Sequence, residues 1–120
     1  LSPIGLGIGE DSKTSTQVNL VNVGNAQILT IPGEALPNIG FYLKRNMKGQ
    51  HNLLFGLTND AFGYIMTKVD FKSFERYNYI SRTTLGEMTG EILIEEALKF
   101  VNESPAPAGV KEKAKDDKSA

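Results

Sequence analysis

The stretch "ILTIPGEALPNIG" (residues 28–40) ends an apolar run at Pro32-Gly33 and delivers a carboxylate, Glu34, to the turn. At the carboxyl end of a strand in an open α/β sheet, such a group serves as a metal ligand or general base. The same residue type also suits the first turn of a helix, where an acid complements the macrodipole. Spacing alone leaves both readings open. A second segment, "GLTNDAFGYIMT" (residues 56–67), carries Asn59 in a turn and then Tyr64. That phenol reads either as a core aromatic or as a ligand and hydrogen-bond donor turned into a site. A third, "FERYNYISRTTLGEMTG" (residues 74–90), gathers Arg76, Tyr77, Ser81, Thr83 and Thr84 in a polar, aromatic loop before a helix. It reads as plain loop or as the wall of a substrate pocket. The lone histidine, His51, sits in the polar turn "KGQHN" and reads as solvent-exposed. The glycines of "GLGIG" (residues 5–9) lack the strand-to-helix context of a dinucleotide fingerprint.

Composition narrows the chemistry. The chain has 120 residues, room for one domain with a core of modest size. Its 13 basic and 14 acidic residues leave a net charge of −1, which gives no electrostatic footprint for nucleic acid or anionic lipid. It has no cysteine, so disulfides, thiolate zinc sites and a cysteine nucleophile are excluded. No apolar run reaches the roughly 18 residues of a membrane span. The N-terminal "LSPIGLGIGE" has neither Met nor a basic n-region, so it reads as an internal piece of a longer chain rather than as a signal peptide.

The positioning elements follow from periodicity. Residues 1–17 are Gly-rich and then polar, with "GEDSKTST" reading as a loop. Val18, Leu20 and Asn22 alternate with Asn19, Val21 and Val23, the period of a strand. Gly24-Asn25 marks a hairpin turn, and residues 26–31 form a mostly apolar and therefore central strand. Residues 34–47 predict a helix, with Pro37 early, Ile39, Leu43 and Met47 on one face, and Lys44, Arg45 and Lys48 near its end. Residues 53–55 predict a strand parallel to 26–31 through a right-handed crossover. Residues 87–102 predict an amphipathic helix with Leu93, Ala97 and Val101 inward and Glu91, Glu95, Glu96 and Lys99 outward. Beyond Ser104 the Pro/Ala and Lys/Asp composition predicts a disordered tail. The expected class is α/β: a mixed sheet with a β-hairpin, a right-handed β-α-β unit and a C-terminal amphipathic helix. The expected divisions are residues 1–17, 18–103 and 104–120.

Taken in order, "TIPGE", a helix, "LLFGLTNDAFGYIMT", "FERYNYISRTTLGEMTG" and a long amphipathic helix resemble the C-terminal part of the neutral (alkaline, non-lysosomal) ceramidase catalytic domain. The resemblance covers about residues 18–100. It implies that Glu34 and Tyr64 are zinc ligands and that Tyr64 takes part in catalysis. It also implies that Asn59, Arg76, Tyr77, Ser81, Thr83 and Thr84 line the substrate pocket. The implied reaction is zinc-dependent hydrolysis of an amide in an N-acyl lipid or related compound. The family's two histidine ligands and its serine nucleophile lie upstream of the Pro-Gly-Glu turn, and this chain carries neither. A companion chain, a missing N-terminal region or self-association is therefore implied for a complete site. The alternative is a stand-alone, non-catalytic α/β binding or structural module.

Overall fold

A computed structural model describes residues 2–8, 12–73, 75 and 78–110. In chain order these residues form strands β1 (Ser2–Ile8), β2 (Ser12–Val18), β3 (Leu20–Val23), β4 (Ala26–Thr30) and β5 (Glu34–Ala35). Helix α1 (Pro37–Asn46), strands β6 (His51–Phe55) and β7 (Tyr64–Ile65), and helices α2 (Asn78–Arg82) and α3 (Thr89–Glu103) follow. The fold is α/β.

Gly24-Asn25 closes the hairpin between β3 and β4, with Val23 opposite Ala26. Gly24 takes φ +58° and Asn25 stays outside the left-handed region. A hairpin turn with the left-handed residue first needs Gly at that place, which is why the order is Gly-Asn and not the commoner Asn-Gly. Strand β4 then pairs in parallel with β6 across α1, Ile28 opposite Leu53 and Thr30 opposite Phe55. The sheet order is β3-β4-β6.

One face of this sheet is covered. Leu29 joins Ile39, Leu43 and Met47 of the first helical stripe and Leu93, Ala97 and Val101 of the second in one buried cluster. Both stripes expected from spacing are thus buried, and Leu20 and Leu54 pack against them. The other face carries Val21, Leu53 and Phe55, which are 45%, 42% and 49% exposed.

Four expectations are corrected. Residues 12–16, expected as part of a loop, and Val18, expected to open the hairpin strand, belong instead to β2, which pairs antiparallel with β1 because backbone pairing does not require apolar side chains. Helix α1 begins at Pro37, not at residue 34; the proline supplies its first position, and Glu34-Ala35 are extended before it. Glu91 does not face water freely: one carboxylate oxygen accepts from the Lys68 N–H at 2.7 Å, and the other is buried without a partner. Order persists past Ser104, whose carbonyl accepts from Lys48 Nζ at 2.7 Å, while Pro107 is buried. The last ten positions, 111–120, lie outside the described residues.

Helix α3 starts against the segment that follows β7, where the Gly90 N–H donates to the Met66 carbonyl at 3.1 Å. A Cβ at Gly90 would overlap that carbonyl. Replacing a helical glycine with alanine ordinarily stabilises by about 1 kcal/mol. Here Gly90→Ala is expected to destabilise by about 1–3 kcal/mol, as overpacking against backbone outweighs propensity. Urea unfolding of the two chains checks the sign.

Candidate functional site

The turn after β4 works by exchanging partners. Ile31 still donates to the β6 carbonyl of Phe55 at 2.8 Å. Past Pro32-Gly33, Glu34 donates instead to the carbonyl of Gly63 at 2.9 Å, and Leu36 to that of Ile65 at 2.9 Å. The chain therefore leaves one parallel neighbour, β6, and takes another, β7. Proline ends the first ladder because it has no N–H to give. Glycine permits the second, since a Cβ at Gly33 would overlap the Gly63 carbonyl.

The register of β5 with β7 sets Glu34 directly opposite Tyr64. Residues opposed in this way project from the same face of a sheet. The carboxylate is exposed and the tyrosine half-buried. The negative charge of Glu34 beside the phenol, reinforced by desolvation and by the neighbouring Tyr79, raises the Tyr64 pKa above the ordinary phenol value. The phenol thus keeps its proton at neutral pH and remains a donor. Of the two readings left open for Glu34, the helix-dipole one loses its basis. The first turn of α1 holds no acidic residue, and Glu34 lies before the helix cap at Leu36.

The backbone stack extends one layer further. Gly63 has φ +80°, and a Cβ there would overlap the carbonyl of Thr83. The Gly33 and Gly63 positions and the Thr83 carbonyl therefore lie in close succession, which brings the loop at residues 83–84 to the strand that bears Tyr64. Thr83 uses its hydroxyl locally, 2.9 Å from the Ile80 carbonyl. Thr84 Oγ1 is buried and has no hydrogen-bond partner. Tyr79 stands edge-on to Tyr64, with ring centroids 6.5 Å apart and planes at 70°. Beside Glu34 runs a groove of about 360 Å³, lined by Ile31, Gly33, Ala35, Leu54 and Leu57 among others.

Other expected pocket residues are placed elsewhere. Ser81 is buried: its Oγ accepts from the Lys72 N–H at 3.0 Å and lies 3.8 Å from Met66 Sδ, so it is committed inside the fold. Asn59 borders a different, polar hollow of about 310 Å³ with Ser15, Thr16, Gln17 and Asp60. In that hollow Thr16 Oγ1 donates to the Asp60 carboxylate. Arg76 and Tyr77 lie outside the described residues. His51 is exposed and pairs with Ala26 at the start of β4, whereas Glu34 lies beyond its end. The five-residue strand between them spans roughly 17 Å, at about 3.3 Å per residue, so His51 cannot share a metal ion with Glu34. A wider hollow of about 760 Å³ on the outer face of α1, between Phe41, Tyr42 and Arg45, includes none of the candidates.

Gly63 and Tyr79 were not singled out from sequence. The isolated glycine immediately before Tyr64 is the one signal that pointed to a close backbone approach. Nothing in the spacing of Tyr79 distinguishes it from the neighbouring aromatics.

No protein-family model matches this sequence, and no curated protein matches it. A solved structure does: a ceramidase complexed with C2, 18% identical, with a TM-score of 0.54. The match covers 83% of this chain and 17% of that one. The chain has a ceramidase-like fold. It spans about a sixth of the ceramidase chain it matches, and at this identity the likeness is one of fold alone.

The Glu34–Tyr64 contact carries a pH prediction. With its folded-state pKa raised, Tyr64 favours the folded state below the unfolded phenol value of about 10. That contribution is lost as pH rises through the folded value. Removing the charge by Glu34→Gln is expected to bring the Tyr64 titration down toward the ordinary range and to lessen the alkaline loss of stability. Ring NMR of the four tyrosines followed through alkaline pH checks it.

Proposed function

We propose that this chain is the C-terminal segment of a ceramidase-like, zinc-dependent amidohydrolase acting on an N-acyl lipid or related compound. The observation that carries the reading is the parallel register that sets a carboxylate opposite a phenol shortly after the carboxyl end of β4. Open α/β sheets keep their sites at such ends. The ceramidase-like fold supports it independently.

The donor chemistry of the pair fits zinc as part of a site. Carboxylate oxygen is an ordinary zinc ligand, and a phenol oxygen facing it offers a second. Among the described residues, no group of three or more His, Cys, Asp or Glu is placed to hold a metal ion. Glu34 and Tyr64 would hold the ion together with imidazoles from outside this chain. When bound, zinc supplies activation of the nucleophile and polarisation of the scissile carbonyl. The residues of this chain have simpler tasks. Glu34 holds a negative charge at the end of the sheet, fixed by the Gly63 carbonyl behind its own N–H. Tyr64 presents a hydroxyl that donates to the carbonyl oxygen as negative charge develops there. The unpartnered Thr84 hydroxyl and the Thr83 backbone would border the substrate.

A companion chain or N-terminal region bearing the imidazoles and the serine would complete this arrangement. The open apolar face of Val21, Leu53 and Phe55 supports such a partner, because parallel sheets are normally covered on both faces. A second reading, a stand-alone non-catalytic α/β module, is favoured by one observation: the chain buries a core of its own.

Three experiments test these readings. Calorimetric titration of the isolated chain is expected to show weak zinc binding or none, since two oxygen donors without imidazole make a poor site. In the completed protein, Glu34→Ala is expected to abolish zinc retention, and Tyr64→Phe to lower amide hydrolysis by about 10²–10³-fold. Full activity of both variants would overturn the assignment. Separately, the 120-residue chain is expected to associate through its open face and to become monomeric when Leu53 and Phe55 are both changed to Lys. Light scattering after size exclusion reads this out. A monomeric unmodified chain with a cooperative thermal transition would instead support the stand-alone module.

A further inference from the structure

We propose that Tyr79 is a positioning residue for Tyr64, holding its phenol toward Glu34; this rests on the reading of Glu34 and Tyr64 as a ligand pair. Strand pairing fixes the Tyr64 backbone but not its χ1 angle, and a half-buried ring on a two-residue strand still has staggered wells to choose among. Glu34 faces the ring from the neighbouring strand. Tyr79 meets it in an edge-to-face arrangement, at 6.5 Å and 70°, the geometry in which the positive rim of one ring meets the negative face of another.

Two further observations separate this contact from an incidental one. Tyr79 is 68% exposed, so its ring contributes little to the core. Its backbone is nonetheless tied to the strand that bears Tyr64. The Thr83 hydroxyl lies 3.3 Å from the Tyr79 carbonyl and 2.9 Å from that of Ile80, fastening α2 to the residue that follows it. The carbonyl of that same Thr83 occupies the space over Gly63, where any side chain would overlap it. Gly63 immediately precedes Tyr64. The anchor of α2 and the ring it positions are therefore one residue apart, and the backbone of Tyr79 is held beside Tyr64 by that close approach.

The role is one of orientation. Tyr79 touches Tyr64 and acts through it, by restricting the phenol to the well that faces the carboxylate. In the absence of Tyr79 the strand register and the Gly63–Thr83 approach would persist, and the Tyr64 ring would sample its remaining rotamers.

The test uses the full 120-residue chain, unmodified and as Tyr79→Phe and Tyr79→Ala. The readouts are the three-bond couplings that report the Tyr64 χ1 angle and the cross-relaxation between the Tyr64 ring and the Glu34 side chain, both measured without metal. The unmodified chain and Tyr79→Phe are expected to show a single Tyr64 rotamer. Tyr79→Ala is expected to show averaged couplings, and its Glu34 cross-peak should fall toward about a third, the share of one well among three. The urea midpoint of Tyr79→Ala should stay close to that of the unmodified chain, as befits an exposed residue. Unchanged couplings in Tyr79→Ala would overturn the proposal. So would averaged couplings in Tyr79→Phe, since the ring would then not be the orienting group. In the completed protein, zinc chloride titration provides a separate arm. An ordered Tyr64 in a completed protein that takes up no zinc would overturn the zinc reading and still support the positioning role.

Discussion

The exchange of partners at Pro32-Gly33 is the constraint on which the rest of the site depends. A strand that had continued straight would have kept β6 as its neighbour and carried Glu34 along the same ladder. Proline withholds the N–H that the first ladder would use, and glycine lets the chain pass within contact of the Gly63 carbonyl. The result is a second, two-residue parallel pairing whose register puts one carboxylate opposite one phenol. Such a short ladder contributes little stability by itself. It is held by what flanks it: Phe62 N–H on the Pro32 carbonyl at 2.9 Å, Leu57 N–H on that of Gly33 at 3.1 Å, and buried Ile65 in the main core.

Close backbone approach recurs throughout this region. At Gly33, Gly63 and Gly90 the space of a missing side chain is filled by a carbonyl from another segment. These three contacts join the turn after β4, the strand β7, the loop at Thr83 and the start of α3 into one body. The candidate site sits on that body rather than on a free loop. A site held by backbone contacts does not need its side chains as struts, and Glu34 is accordingly exposed.

The sheet is finished on one side only. The face bearing Leu29 is closed by α1 and α3, while Val21, Leu53 and Phe55 remain in contact with solvent. The sheet is mixed, with β3 antiparallel and β6 parallel to β4, and α1 and α3 cover one of its faces. The same strands that leave an open face also end beside Glu34. The open face and the candidate site are therefore adjacent in the fold.

Periodicity determined the large elements of this protein. The stripes of Ile39, Leu43 and Met47 and of Leu93, Ala97 and Val101 are buried as their spacing requires, because helix geometry repeats over many residues and leaves a long signal. The hairpin at Gly24-Asn25 was legible too, through turn chemistry. The polar strand β2 and the two-residue strands β5 and β7 were not. Their pairing is made by backbone groups common to all residues, and two positions are too few to show a period. The site divides in the same way. The residue types of Glu34 and Tyr64, and their order along the chain, belong to the sequence. Whether Glu34 served a helix or faced a phenol was decided by the tertiary structure, because only the partner exchange at Gly33 and its close fit to Gly63 bring these distant segments into register.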